Sequence, residues 1–139
     1  MKVKVLFQGR RRLHRDEQFL ARAGNPTHVL TRDVVLYCGA KPVVYAHSVL
    51  APGGCGAGWR LMQGMGSRPL GAALFTDPRI RRLLLRQHKV GCGHELLRQA
   101  RRVLNSGSVT TLWARRSLFM VGKSPILVTE VFLPEVLTL

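Results

Sequence analysis

The end of the chain carries the clearest strand pattern. Residues 126–134 are mostly β-branched, aliphatic or aromatic, and the turn signal Gly122-Lys123-Ser124-Pro125 precedes them. Because successive side chains of a strand point to opposite faces, Glu130 shares a face with Val128 and Phe132. A carboxylate in an apolar row costs free energy unless it is paired, protonated or used in chemistry. Glu130 is therefore the first candidate functional residue.

A second strand pair is predicted near the start of the chain. Residues 27–38 and 43–51 have strand character, and Gly39-Ala40-Lys41-Pro42 between them reads as a turn, so they predict a hairpin. Arg32 interrupts an apolar row of the first strand, and His47 interrupts one of the second. These two residues become candidates for the same reason as Glu130.

The remaining patterns complete an α+β domain. Residues 2–8 and 109–121 predict further strands, the second of which forms a hairpin with the strand of Glu130. Residues 59–65 and 70–75 predict short helices. Residues 79–105 have a helical period with an arginine-rich face, which predicts two amphipathic helices joined at a glycine turn. We therefore expect one domain over residues 1–139, with an antiparallel β-sheet and helices packed on one side.

Composition narrows the functional classes. The chain of 139 residues has no apolar run long enough to span a membrane, and its three scattered cysteines suit free thiols in the cytoplasm. Its 22 Lys and Arg against 7 Asp and Glu give a formal charge of +15, which attracts nucleic acids or steers small anionic substrates. Aromatic residues make up only 6%, which disfavours nucleic acid as the main partner. The pair Cys92 and His94 lacks further ligands at metal-binding spacing.

Three blocks of sequence resemble the chorismate pyruvate-lyase (chorismate lyase) family. The blocks are Thr31-Arg32-Asp33-Val34-Val35-Leu36-Tyr37-Cys38, then Arg68-Pro69-Leu70-Gly71 with Leu74-Phe75-Thr76, and finally Leu112-Trp113-Ala114-Arg115-Arg116-Ser117 with residues 122–134. They occur in the order of the family and cover the chain from about 29 to 75 and from 112 to 134.

The resemblance implies a function. Family members cleave chorismate to 4-hydroxybenzoate and pyruvate, the first committed step towards ubiquinone, without a metal or an organic cofactor. Their fold is an antiparallel sheet with helical flaps over a buried ligand site. The ligand-contacting positions of the family fall on Arg32, Leu70 and Glu130, with Arg32 and Glu130 as the catalytic pair. We expect a cytoplasmic monomer that needs no nucleic acid and does not span a membrane.

The chain also departs from the family pattern. The family carries an arginine at the position of His47, and an imidazole is shorter and neutral at pH 7. His47 is therefore a further candidate for substrate binding, and a lyase of reduced activity is expected. The family's N-terminal flap helix has no counterpart in the sequence, and residues 79–106 read as a basic helical insertion.

Other interpretations stay open. Glu130 can instead be a structural ion-pair partner of Arg32 or Arg115. The domain can be a non-catalytic binder of aromatic acids like the UTRA effector domains, which share the fold. A basic nucleic-acid-associated protein is the third alternative.

Overall fold

A six-stranded antiparallel sheet forms the frame of the molecule. The computed structural model describes residues 2–20, 28–51, 56–66 and 70–138. The strands are β1 (Lys2–Arg12), β2 (His28–Cys38), β3 (Lys41–Leu50), β4 (Arg81–Gly91), β5 (Thr111–Val121) and β6 (Ser124–Phe132). The α-helices are α1 (Ala57–Gln63), α2 (Leu70–Thr76) and α3 (Glu95–Leu104), and two 3-10 helices cover Arg15–Leu20 and Pro134–Thr138. The strand order in the sheet is β1-β2-β3-β6-β5-β4.

The two hairpins predicted from the sequence are confirmed and lie side by side. Gly39 and Gly122 occupy the turns of β2–β3 and β5–β6 with φ of 62° and 63°, a region that favours glycine. Strand β3 pairs with β6 in the middle of the sheet, with Ala46 opposite Glu130. The last strand is therefore held between two neighbours, where the backbone is fixed on both sides.

Helices cover both faces of the sheet, whereas the sequence predicted them on one. On the face that we call the α1/α2 face, apolar side chains of the sheet pack against Met62, Met65, Leu70 and Leu74. On the opposite α3 face, a second apolar cluster includes Val35, Tyr45 and Val131 and packs against Leu96, Leu97 and Ala100. The α+β class with an antiparallel sheet is confirmed.

The region predicted as two helices contains one strand and one helix. Residues 81–91 form the edge strand β4, which pairs with β5. The helical prediction was wrong there, and right for α3, which starts at the N-cap His94 and ends at Asn105 in the left-handed conformation, φ 51°. The expected basic helical insertion at 79–106 therefore contains a strand of the sheet.

Three further expectations concern strand β1, the cysteines and membrane-spanning helices. Strand β1 extends four residues beyond the predicted 2–8. Cys38 and Cys92 are free thiols, whereas Cys55 lies outside the described residues. Among the helices of the described residues, none is long and apolar enough to cross a membrane.

Candidate functional site

Arg32 is a buried cation on the α1/α2 face. Its side chain extends from the inner strand β2, and the residue is only 2% exposed. Nη1 donates to Oε1 of Gln8 at 2.6 Å and Nη2 donates to the carbonyl of Gly66 at 2.7 Å. Burial lowers the pKa of the Arg32 guanidinium from its usual value, which is so high that the group stays charged at neutral pH. Both of these partners are neutral, so they bind the guanidinium without neutralising its charge.

Glu130 forms an ion pair with Arg115 on the neighbouring strand. The two residues are directly opposite each other in β6 and β5. Arg115 donates from Nε to Oε1 at 2.9 Å, and its Nη2 lies 2.7 Å from the same oxygen. The ion pair left open by the sequence is therefore present. Both contacts end on Oε1. Among the contacts of the described residues, Oε2 is therefore the oxygen left to accept a hydrogen bond from a ligand.

The register of the strands places Arg32 and Glu130 on the same face. Arg32 is opposite Ser48, and Ser48 is opposite Val128. Residues directly opposite in antiparallel strands share a face, and so does Glu130, two residues beyond Val128. Arg32 and Glu130 are thus two strand spacings apart, about 10 Å across the sheet, and one pair of residues apart along it. The guanidinium of Arg32 and the carboxylate of Glu130 therefore project from the same face of the sheet at that separation.

Leu70 lies on the same face, at the start of α2. Its side chain is buried in the apolar cluster with Met65 and Leu74. Pro69, which the sequence placed at the first helical position, lies outside the described residues. Leu70 therefore lies on the same face of the sheet as Arg32 and Glu130, and its main-chain contact to a ligand stays a prediction.

His47 lies on the opposite face, away from these three residues. In the sheet it pairs with Asp33 on one side and Thr129 on the other, in the row between those of Arg32 and Glu130. Its Nδ1 is 2.6 Å from Oδ1 of Asp33, and its Nε2 is 2.8 Å from Oε2 of Glu17. The structure therefore does not place His47 where it could bind the same ligand as Arg32.

The partners of His47 hold it in the charged form. Burial alone would lower its pKa, but the hydrogen bonds and charges of Asp33 and Glu17 outweigh burial and raise the pKa to about 9. Burial tends to raise the pKa of each carboxyl, and the His47 hydrogen bond reverses this so that both pKa values are lowered. His47 is thus a cation at pH 7, contrary to the sequence-based expectation that it is neutral.

The same cluster contains a possible set of metal ligands. One ligand atom each from His14, Glu17 and His47 lies within 4.8 Å of the others. The rings of His14 and His47 are stacked with centroids 4.4 Å apart and planes 4° apart. Because lone pairs lie in the plane of each ring, parallel rings direct them side by side and not to one point. The arrangement suits a protonated His47 that donates to Asp33 and Glu17 better than a metal ion.

Both ring nitrogens of His94, the residue after the glycine turn, are engaged. Nδ1 accepts from the amide of Leu96 and Nε2 is 2.9 Å from Oδ2 of Asp16. These contacts cap α3 and link it to the first 3-10 helix. His94 therefore has a structural role in this conformation.

A separate cleft of about 880 Å³ lies between the end of β1, the first 3-10 helix and the turn before α3. Its lining includes four arginines, Arg11, Arg12, Arg15 and Arg98, together with Asp16 and Glu95. None of the sequence-predicted site residues lines it. The candidate residues Arg32, Leu70 and Glu130 lie instead on the α1/α2 face, where a buried guanidinium and a carboxylate share one side of the sheet.

Sequence reasoning found one of the two partners that hold the site and missed the other. Arg115, named from the sequence as an alternative ion-pair partner of Glu130, orients that carboxylate. Gln8, which binds Arg32, was missed. Gln8 carried no signal, because a glutamine in a basic strand end looks like surface.

Comparison with known proteins identifies the family of the chain. The sequence profile described as chorismate lyase matches residues 1–138. A relative from Nitrosospira multiformis, named probable chorismate pyruvate-lyase, is 43% identical over 137 residues, which cover 99% of this chain and 76% of the relative. One from Azoarcus sp. with the same name is 45% identical over 141 residues, covering 99% of this chain and 74% of the relative.

Solved structures of low sequence identity share the fold. The C-terminal domain of the histidine utilization repressor from Pseudomonas syringae has a TM-score of 0.65 at 12% identity, covering 96% of this chain and 92% of that one. The ligand-binding domain of a GntR-family regulator from Bordetella bronchiseptica has a TM-score of 0.62 at 16% identity, with coverage of 96% and 85%. These similarities concern the fold alone. With a family profile over nearly its whole length and relatives above 40% identity, the chain belongs to the chorismate lyase family.

Proposed function

We propose that the protein cleaves chorismate to 4-hydroxybenzoate and pyruvate. The observation that carries the proposal is the placement of Arg32 and Glu130 on one face of the sheet, beneath α2 and its Leu70. Membership of the chorismate lyase family supports it. Chorismate carries two carboxylates and an ether, and this site offers a buried cation for an acid group and a carboxyl for the ether region.

Arg32 is proposed to bind a carboxylate of the substrate. A guanidinium binds a carboxylate through two parallel hydrogen bonds, which fixes orientation as well as position. In the structure those donors are held by the neutral oxygens of Gln8 and Gly66. Exchanging neutral acceptors for a charged one strengthens the hydrogen bonds of a group that is already desolvated.

Glu130 is proposed to act where the ether bond breaks. The ring carbon–oxygen bond of the enolpyruvyl ether breaks as Glu130 in its protonated form gives its proton to the ether oxygen, and the neighbouring ring carbon returns a proton to the Glu130 carboxylate. The released enol tautomerises to pyruvate. The ring becomes aromatic, which supplies the driving force. Orientation and exclusion of water are the main demands on the protein.

The setting of the reaction follows from its substrate. The proposed chemistry needs no metal and no organic cofactor, and 4-hydroxybenzoate is the first committed intermediate towards ubiquinone. Chorismate is a dianion and does not cross a lipid bilayer unaided. We therefore place the reaction in the cytoplasm, with the monomer as the active unit.

A direct assay tests the proposal. Purified protein is mixed with chorismate, and 4-hydroxybenzoate and pyruvate are followed together by chromatography and a coupled assay. Equimolar release of both products above the uncatalysed rate supports the lyase. If calorimetry detects binding of 4-hydroxybenzoate without any turnover, the domain is a binding module like the UTRA domains. If neither occurs, the proposal is wrong.

A further inference from the structure

Ser117 carries a buried hydroxyl without a partner. The residue is 1% exposed, and its Oγ has no hydrogen-bond partner among the described residues. A buried hydroxyl that makes no hydrogen bond destabilises the fold. Such a group in a native protein needs an explanation, and a role in ligand binding supplies one.

The register places this hydroxyl on the candidate site face. Ser117 is directly opposite Val128 in the β5–β6 pair, and Val128 is opposite Ser48, the neighbour of Arg32. Glu130 is the next residue of β6 on that face, diagonal to Ser117. Diagonal neighbours in a sheet are about 7–8 Å apart, so two such side chains can both reach one atom between them.

The surroundings of Ser117 form a boundary between apolar and polar surface. Phe119, two residues further along β5, belongs to the apolar cluster under α1 and α2. Arg115, two residues back, is the partner of Glu130. Along β5, Ser117 is thus the last polar residue before the apolar part of the face. On the neighbouring strand β6, Glu130 lies diagonally across from its hydroxyl.

We propose that Ser117 is a further ligand-contacting residue, whose hydroxyl binds the ring oxygen at the end of the ligand opposite to Arg32. This inference rests on the proposed lyase function, because it takes the ligand to be an aromatic acid or its precursor. Arg32 holds the carboxylate, and Ser117 and Oε2 of Glu130 flank the hydroxyl or ether oxygen. Ser117 then provides discrimination for an oxygen at that end of the ring.

A pair of ligands that differ by one hydroxyl tests the assignment. Calorimetry measures the Kd of 4-hydroxybenzoate and of benzoate for the wild type, Ser117→Ala and Thr129→Val. Loss of one hydrogen bond should weaken 4-hydroxybenzoate by roughly 3- to 10-fold in Ser117→Ala and leave benzoate within about twofold of wild type. Thr129 is the matched control, because its Oγ1 is also buried without a partner among the described residues but lies on the α3 face. Thr129→Val should change neither Kd.

Thermal unfolding without ligand separates a ligand contact from a structural one. If the hydroxyl serves the ligand and makes no structural hydrogen bond, its removal takes away a buried polar group without a partner. The Ser117→Ala protein should then melt at the wild-type temperature or above it. A lower melting temperature, an unchanged Kd for 4-hydroxybenzoate, or an equal loss for both acids would overturn the assignment. Wild-type protein that makes no product and binds neither acid would instead overturn the lyase proposal itself, and the wild-type measurements show this without the variants.

Discussion

Arg32 combines charge and geometry in one buried side chain, and the two can be separated by mutation. Arg32→Lys keeps the positive charge but loses the planar pair of donors. We expect the KM for chorismate to rise roughly 10- to 100-fold, because a charge-assisted double hydrogen bond is worth about 1.5–3 kcal/mol. Steady-state kinetics measures the change. Arg12→Lys, an exposed position on β1, is the matched control and should leave KM unaltered.

Glu130 has a different signature, because its proposed task is proton transfer. Glu130→Gln keeps the size of the side chain and removes the transferable proton. We expect kcat to fall roughly 100-fold or more, as proton transfer by a positioned side chain contributes about 10²–10⁴. The Kd of 4-hydroxybenzoate, measured by calorimetry, should change far less than kcat. A variant that keeps full kcat would show that Glu130 only pairs with Arg115.

The charged network around His47 predicts how stability depends on pH. The pKa of His47 is raised to about 9 from 6.5, so its contribution is complete below pH 6.5 and is lost as pH rises through about 9. The pKa values of Glu17 and Asp33 are lowered, so their contribution is present above their usual values and is lost as pH falls. Chemical denaturation from about pH 3 to 10 should therefore give the highest free energy of unfolding between about pH 5 and 6.5.

Substitution tests whether His47 causes the alkaline limb of this profile. His47→Gln removes the cation and leaves two buried carboxylates facing a neutral amide, so the protein should be less stable at pH 6. The decline between pH 6.5 and 9 should flatten in the variant. The change His28→Gln at an exposed position of β2 should leave the profile as it is. An unchanged slope in His47→Gln would assign the decline to other groups.

At the scale of elements, the contact of α1 with the sheet depends on one glycine. A Cβ at Gly58 would lie 2.6 Å from Cβ of Ser124 and 2.7 Å from Cδ1 of Leu50. Gly58→Ala should therefore push α1 away from β6 and cost about 1–3 kcal/mol of unfolding free energy, measured by denaturant titration. Gly107→Ala is the control, since a Cβ there would meet nothing within 4 Å. A Gly58→Ala protein as stable as the wild type would mean that α1 is held elsewhere.

The sequence predicted most elements but not β4, and the reason is physical. The segment RRLLLRQHKVG has a run of three leucines between basic residues, which fits one side of a helix as well as a strand. What decides is pairing with β5, from Arg81 opposite Met120 to Gly91 opposite Thr111. Such pairing joins residues far apart in sequence, so no local pattern contains it. The hairpins were easier, because their turns are local.

Prediction of the candidate site was limited for the same reason, because the site also depends on how the strands pair. Alternation along each strand identified Arg32, His47 and Glu130 as charges in apolar rows. It did not show which rows of neighbouring strands share a face, because this depends on register. The register puts Arg32 with Glu130 and puts His47 with Asp33 on the other side. A shift of one residue would have reversed that grouping.

At the scale of the whole molecule, the formal charge of +15 is expected to affect how the substrate reaches the protein. A field of this sign draws a dianionic substrate towards the protein, so it acts on association more than on chemistry. Salt screens the field, with a Debye length of about 10 Å at 0.1 M. We expect kcat/KM for chorismate to fall several-fold between about 10 mM and 300 mM salt, while kcat stays nearly constant. Initial rates over that range measure both.

Substitution of charges far from the site distinguishes a long-range electrostatic effect from direct contact with the substrate. Arg98 and Arg102 are exposed on α3, on the face opposite to Arg32. The double change Arg98→Gln and Arg102→Gln should lower kcat/KM at low salt and converge with wild type at high salt, because only screening distinguishes the two proteins. Binding in a DNA retardation assay that weakens steeply with salt would show that the charge also serves a nucleic acid. The two roles differ in what they require of the arginines. Steering of a small dianion acts at a distance, whereas binding of a polyanion needs direct contact.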